Sequence, residues 1–209
     1  MIVTRWWLIR HAPVPNPDKV IYGRDDPPAD IGDAASLAAL AERLPRDAVW
    51  VTSHLRRTRQ TAAALRLPGS DMALVERDLA EQDFGAWEGL SHDAVAERHP
   101  DEARRFWSAP ATEAPPGGES FAAVMARVSG AVRRLTAAAE GRDVVAVIHG
   151  GSIRAALALA LDLTPEAALR LSVAPLSLSR IDHYGRVAGG NSWSVGALNA
   201  LGTFSTGAR

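Results

Sequence analysis

The sequence predicts an α/β fold: a three-layer α/β/α sandwich with a mostly parallel central sheet and an inserted cap. Three observations carry this reading. Short apolar, β-branched runs alternate with Ala-rich helical stretches in βαβα order. The segment from about residue 83 to residue 120 breaks that rhythm with Trp87, Phe106 and Trp107, then a Pro-rich run over Ala109–Gly118. The chain has 209 residues. At roughly 150 residues per domain, that suits one domain, residues 1–209, carrying an elaboration.

Taken in order, Thr4–Ile9 is apolar with β-branched and aromatic side chains, so it reads as a buried strand. Ala34, Leu37, Leu40, Ala41 and Leu44 give Asp33–Leu44 helical spacing, ended by Pro45. Ala48–Thr52 reads as a second strand, and Thr58–Leu67 as a helix ending at Pro68. Leu74–Leu79 gives a weaker strand signal. The Asp83–Ser120 insertion is expected to lie over the sheet's edge as a lid or substrate wall. Phe121, Val124, Val128, Val132 and Leu135 then share one face of a long helix over Phe121–Ala139. Val144–Ile148 is short, apolar and β-branched, the strongest strand signal in the chain. Ser152–Leu161 follows as a helix, and Thr164-Pro165 opens another over Pro165–Leu171. Leu176–His183 and Val187–Val195 read as a terminal strand pair turned at Tyr184-Gly185, an edge that could join two copies as a homodimer. The tail Gly196–Arg209 is small and polar and is expected to be partly disordered.

Composition excludes several classes of chemistry. There is no cysteine, which removes disulfides, Cys-ligated zinc, iron–sulfur clusters and thiol nucleophiles. Lys+Arg total 23 against 24 Asp+Glu, a net charge of -1, so no extended basic footprint for nucleic acid exists. Lys19 is the only lysine; the other basic residues are arginine. The N-terminal run reaches Arg10 without the apolar stretch of a signal peptide. Ala155–Leu161 is the longest apolar run elsewhere, far short of the ~20 residues of a membrane span. The expectation is a soluble, cytoplasmic protein with no membrane partner.

In an open α/β sheet, ligands bind beyond the carboxyl ends of the strands. Arg10-His11 follow the first strand, Ser53-His54-Leu55-Arg56-Arg57 the second, Glu81 the third and His149-Gly150-Gly151-Ser152 the strongest. This inventory suits phosphate. Arg offers a rigid fork matched to phosphate oxygens. Neutral His is a competent nucleophile, and Glu can protonate a leaving oxygen. Gly150-Gly151 would let a helix N-terminus approach an anion. Singly, each residue has a structural reading: a strand-end His is often structural, and Arg56, Arg57 and Arg59 could be a solvated helix face. The coincidence at four strand ends favours chemistry. Other motifs fail. No Gly-Lys-Ser/Thr P-loop occurs, and Ile153-Arg154 follow Ser152 where a nucleophile elbow needs Gly. His92 and His99 lack partners for a metal site. Neither metal nor cofactor is expected.

These residues resemble the histidine phosphatase superfamily, also called phosphoglycerate-mutase-like. Leu8-Ile9-Arg10-His11-Ala12 is similar to its Arg-His-Gly signature, with Ala12 in place of Gly. Ser53–Ala62 is similar to its Ser-Pro-Leu-x-Arg-Ala-x-Gln-Thr-Ala segment, with His54 in place of Pro. Leu79–Gly85 resembles the stretch bearing the acid, and Val147–Gly151 the second His segment. Val20–Asp26, Phe84–Gly89 and Pro116–Ser120 resemble the α-ribazole phosphatase branch of cobalamin assembly. The Trp-Glu-Gly and Gly-Glu-Ser pieces also occur in broad-specificity phosphatases.

The resemblance implies a metal-independent phosphomonoester hydrolase acting through a phosphohistidine on a small phosphorylated metabolite, with α-ribazole 5′-phosphate a candidate. His11 would be the nucleophile and Glu81 the acid, while Arg10, Arg57 and His149 would hold the phosphoryl oxygens. Tyr22, Gly23, Arg24, His54, Trp87, Trp107, Glu119, Ser120 and Gly150 are the candidates for substrate contact. Trp107 and Phe106 could stack on an aromatic leaving group or pin the cap to the core, the latter being the favoured reading for Phe106. Two alternatives stay open: a phosphoglycerate-mutase-type phosphotransferase and a catalytically weak phosphate-binding module. Ala12 is the hint for the latter, although retuning is the expected effect of its extra methyl.

Overall fold

A computed structural model describes residues 2–185 and 192–201. Six strands form one sheet: β1 (Val3–Arg10), β2 (Val49–Thr52), β3 (Leu74–Val75), β4 (Val144–Ile148), β5 (Leu178–Tyr184) and β6 (Trp193–Ala200). Their spatial order is β3-β2-β4-β1-β5-β6. The first four pair parallel, while β5 and β6 add antiparallel at one edge. The parallel strands therefore share a single carboxyl edge.

Helices cover both faces: α1 (Ala34–Ala41), α2 (Arg56–Ala64), α3 (His92–Arg98), α4 (Pro100–Ser108), α5 (Phe121–Ala139), α6 (Gly150–Leu161) and α7 (Pro165–Ala168). Strand alternation divides the core. Trp6, Leu8, Val144, Ala146 and Ile148 pack towards α5 and α6. Ile9, Trp50, Val145 and Val147 pack towards α1 and α2. All five β4 residues are buried, which explains why that strand lacks polar alternation. Trp6 crosses to α5, donating its indole N–H to Thr136 Oγ1 at 2.9 Å.

Several boundaries differ from the sequence reading. Strand β3 stops at Val75 because Glu76 accepts the amide of Asp78 and turns Arg77–Leu79 into one 3₁₀ turn. Helix α1 ends at Ala41 and α7 at Ala168, each short of the expected stop. Helices α2 and α6 each start two residues early, at Arg56 and Gly150. Of the expected Val187–Val195 strand, residues 187–191 lie outside the described residues. The observed strand runs from Trp193 to Ala200, so Gly196–Ala200 belongs to the sheet and not to a disordered tail. Ladder pairing with β5 draws these small residues in where their side chains give no strand signal.

The 83–120 segment holds α3, α4 and a small apolar cluster of its own: Trp87, Val95, Ala103 and Phe106. Ile21, from the loop after β1, joins that cluster and pairs its backbone with Gly89 and Leu90.

Candidate active site

The carboxyl edge brings the four strand-end groups together. His11 follows β1 directly and is 1% exposed. Its Nδ1 lies 2.7 Å from the carbonyl of Ala12, which can only accept, so Nδ1 carries the proton and Nε2 keeps a bare lone pair. Burial pushes its pKa down to about 3; the Ala12 bond opposes this, and Arg57 and Arg10 add to it. Ala12 is itself buried, and its amide donates to Thr61 Oγ1 at 2.9 Å.

His149 follows β4 and is fully buried. Its ring stands edge-on to His11, with centroids 5.2 Å apart. Nε2 lies 2.7 Å from Ser53 Oγ, whereas Nδ1 is buried without a partner. Burial, with the charge of Arg57 next, holds this imidazole neutral, well below the ordinary histidine range.

Two guanidiniums flank the pair, Arg57 buried and Arg10 half-buried. Arg57, from the first turn of α2, is fully buried. It donates to the carbonyls of Asp25 and Gly23 at 2.7 and 2.6 Å and lies over the Tyr22 ring at 5.0 Å. Burial lowers its pKa while Glu81 and Tyr22 oppose the shift. Arg10 donates through Nη1 to Val173 O at 2.6 Å, beside Gly150. The Nε atoms of Arg10 and Arg57 are both buried and unpartnered. With His149 Nδ1, three elements thus leave three buried polar nitrogens without partners, a costly arrangement unless a ligand meets them.

Glu81 sits on the start of α6, where its Oε1 accepts the amide of Gly151 at 3.2 Å. The group that meets this helix N-terminus is therefore the Glu81 carboxyl itself. A Cβ at Gly151 would collide with that oxygen, so glycine is required for the approach. Arg154 of α6 is a further guanidinium; its Nε donates to Leu171 O, and its charge acts on Glu81 and Arg10.

The family model of the histidine phosphatase superfamily (branch 1) matches residues 6–195. The chain belongs to that superfamily. A bifunctional protein of Mycobacterium tuberculosis is 38% identical over 186 residues, which cover 87% of this chain and 50% of that protein. The chain thus spans about half the length of the relative it matches there. The glucosyl-3-phosphoglycerate phosphatase of Mycolicibacterium vanbaalenii is 35% identical over 175 residues, covering 78% of this chain and 76% of that one. The crystal structure of the α-ribazole phosphatase from Shigella flexneri has a similar fold, with TM-score 0.81 and 24% identity over 95% of this chain and 98% of that one.

The remaining candidate residues of this superfamily member divide between rim and scaffold. Gly23, at φ +32°, gives its carbonyl to Arg57. Arg24 reaches Glu119 at 3.1 Å, and its Nε lies 3.4 Å from the carbonyl of Glu81. His54 is half-buried with an unpartnered Nδ1, and burial, then Arg77 and Arg24, lowers its pKa. Glu119 also takes Arg127 and the amide of Asp83. Burial acts to raise the Glu119 pKa, but the bonds and charge of Arg127, the Asp83 amide and the Arg24 charge together outweigh it and the net shift is downward. Ser120 spends its hydroxyl capping α5 at the amide of Ala123. Trp87 is a correction: it is 0% exposed inside the cap cluster, edge-on to Phe106, so it packs the cap and presents no face to a substrate. Phe106 is buried with it, while Trp107 is half-exposed beside His92.

Sequence reasoning missed three groups. Arg127 donates to the carbonyls of Asp78, Ala80 and Glu81, bracing the loop that carries Glu81. Ser152 donates to Leu79 O and Ala80 O from the other side. Glu88 accepts the amides of Arg24, Asp25 and Phe84. In the sequence Arg127 is only a charged residue beside the buried Val124–Val128 stripe of α5, Ser152 part of the segment after β4 and Glu88 part of the Trp-Glu-Gly piece, and none of these shows the loop that the residue braces. Among the described residues, no helix is long and apolar enough to cross a membrane, and no His/Asp/Glu group is placed to hold a metal ion.

Proposed function

We propose that this chain is a metal-independent phosphomonoester hydrolase working through a phosphohistidine on a small phosphorylated metabolite. One observation carries the reading: a buried neutral His11, proton committed to Ala12, lies among unpartnered nitrogens of Arg10, Arg57 and His149. His11 Nε2 attacks phosphorus as the bond to the ester oxygen breaks, and Glu81 protonates that oxygen. Glu81 then takes a proton from water, which attacks phosphorus and releases phosphate and free His11. The preorganised Arg10 and Arg57 charges stabilise the transition state without needing to reorganise.

For substrate choice, the α-ribazole-like motifs are informative in an unexpected way. Glu88 and Glu119 within them cap the Arg24 and Asp83 loops, and Gly85 lies against the Pro116–Gly118 backbone. These motifs build the scaffold and do not single out a leaving group. A cavity of about 330 Å³ is lined by Val14, Pro15, Val20 and Pro27 together with Asn16, Tyr22, Asp25 and Asp26, and Tyr22 and Asp25 also touch Arg57, so it offers both apolar and polar groups to the alcohol part of an ester. The substrate panel therefore sets α-ribazole 5′-phosphate beside glucosyl-3-phosphoglycerate, phosphoserine, 3-phosphoglycerate and a phosphopeptide.

The test is hydrolysis of p-nitrophenyl phosphate in chelator, with acid-labile phosphate trapped on the protein. His11→Ala should lower kcat by about 10⁴-fold or more and abolish labelling. Turnover retained in that variant would sink the reading. Release of phosphate to water, against transfer to an added phosphoglycerate, separates hydrolase from mutase.

A further inference from the structure

We propose that Ser53 and Thr58 are positioning residues that fix the proton of His149, so that the site takes up a phosphoryl group together with one proton. The proposal deepens the phosphatase reading and rests on it.

The argument is a count of hydrogens. Thr58 Oγ1 has three oxygen neighbours: Leu55 O at 2.8 Å, Ser53 O at 3.2 Å and Ser53 Oγ at 3.1 Å. Two of these are backbone carbonyls, which only accept. The single Thr58 hydroxyl proton therefore goes to a carbonyl, and the third contact is made by the Ser53 hydroxyl donating to Thr58. Ser53 Oγ also receives the amide of Leu55 at 3.2 Å. With its own proton spent, Ser53 can meet His149 Nε2 at 2.7 Å only as an acceptor. The ring proton of neutral His149 is thus on Nε2. Ser53, Thr58 and His149 are each 0% exposed, so water does not compete for these bonds. In the family segment quoted above, Thr58 stands where the pattern has Ala.

The consequence falls on Nδ1. It is buried, has no partner, and carries a bare lone pair as the one polar atom the ring has left for a ligand. Arg57 from α2, His11 after β1, His54 after β2 and Arg127 from α5 act on the ring, and Glu81 is held at the start of α6. A phosphomonoester has a second pKa near 6, so at neutral pH and above it arrives as a dianion bearing only acceptors. A bare Nδ1 and a dianion oxygen repel. One proton from solvent resolves this, whether it resides on Nδ1 or on the phosphoryl oxygen; either way it forms the hydrogen bond between them. Without Thr58 as acceptor, the Ser53 hydroxyl is free to donate to Nε2. The ring proton then moves to Nδ1, and a dianion binds with no extra proton.

The experiment is calorimetric titration of the full chain with phenylphosphonate near pH 8.5, where this mimic of a phosphomonoester is a dianion with no P–OH to donate, in two buffers of different ionisation enthalpy. The expected uptake is about one proton per phosphonate bound, with Kd rising about tenfold per pH unit. Thr58→Val should cut uptake below about half a proton and flatten the pH dependence, and Thr58→Ser should restore both. No uptake by the unaltered protein overturns the proposal, as does unchanged uptake in Thr58→Val. Should Thr58→Val fail to fold, ¹⁵N shifts of His149 in the unaltered protein decide: an Nε2–H ring supports the proposal and an Nδ1–H ring overturns it. Absence of any binding of either phenylphosphonate or inorganic phosphate removes the phosphatase reading itself, and the proposal with it.

Discussion

Two groups of helices in this protein start differently. Helices α3, α5 and α7 are capped by their own preceding residue: Ser91, Ser120 and Thr164 accept amides three positions on. Helices α2 and α6, at the carboxyl edge of the sheet, have no such side-chain cap. The amide of Arg56 goes instead to Asp26, 30 residues away, and that of Gly151 to Glu81, 70 residues away. The local caps only end helices. The distant ones tie the helix starts to loops that carry Arg57's carbonyl partners and the candidate acid. At the site, helix termination and site assembly are therefore the same interactions.

The largest effect separates those two roles at Glu81. Glu81→Gln keeps an oxygen for the amide of Gly151 but has no proton to give. Activity on alkyl phosphates should fall about 10²- to 10⁴-fold, with a smaller loss on p-nitrophenyl phosphate, whose leaving group needs little protonation. Thermal stability should stay close to that of the unaltered protein, whereas Glu81→Ala should lose both. Equal loss on good and poor leaving groups would break the assignment of Glu81 as the acid.

Acid should act on the site end before the rest. His149 occupies the residue preceding α6, where a cation is disfavoured by the helix dipole, and His11 lies beside it. His11 titrates near 6.5 when unfolded and at about 3 when folded. Below pH 6.5 the unfolded chain binds a proton that the folded chain refuses. Stability is thus full above 6.5 and falls progressively down to about 3. His11→Gln removes this linkage, so its Tm should fall less than that of the unaltered protein between pH 7 and pH 4.5. Parallel Tm curves would show that His11 is not held neutral.

The same contrast sets what the sequence could tell. Helices α5 and α7 start where their own Ser120 and Thr164 signals place them. The expected starts of α2 and α6 fell two residues late because their caps lie in other segments. His11 and His149 were legible because a strand followed by a polar residue marks a parallel sheet's carboxyl edge. Arg127 was not, since all its carbonyl partners lie 46 to 49 residues upstream. Trp87 misled for a different reason: a substrate wall and a small core both favour an aromatic ring. Burial distinguishes them, and burial is set by Ile21 and Phe106, distant in the chain.

The smallest effect is also the cleanest form of the comparison. Asp26→Ala and Thr164→Ala each delete one cap, the first distant and the second local. Each should cost about 1 kcal/mol, which lowers Tm by about 2–4 °C in a chain of this size. Their kinetics should diverge. The α7 cap touches nothing at the site, so Thr164→Ala should leave kcat and KM unchanged. Asp26 adjoins Asp25, whose carbonyl takes Arg57 Nη1 at 2.7 Å. Loosening that loop lets the guanidinium drift, and KM should rise about 3- to 10-fold with kcat less affected. Matched stability losses with equal KM values would mean that the distant cap is only a helix cap, and that Arg57 is held by its other contacts at Gly23 and Tyr22.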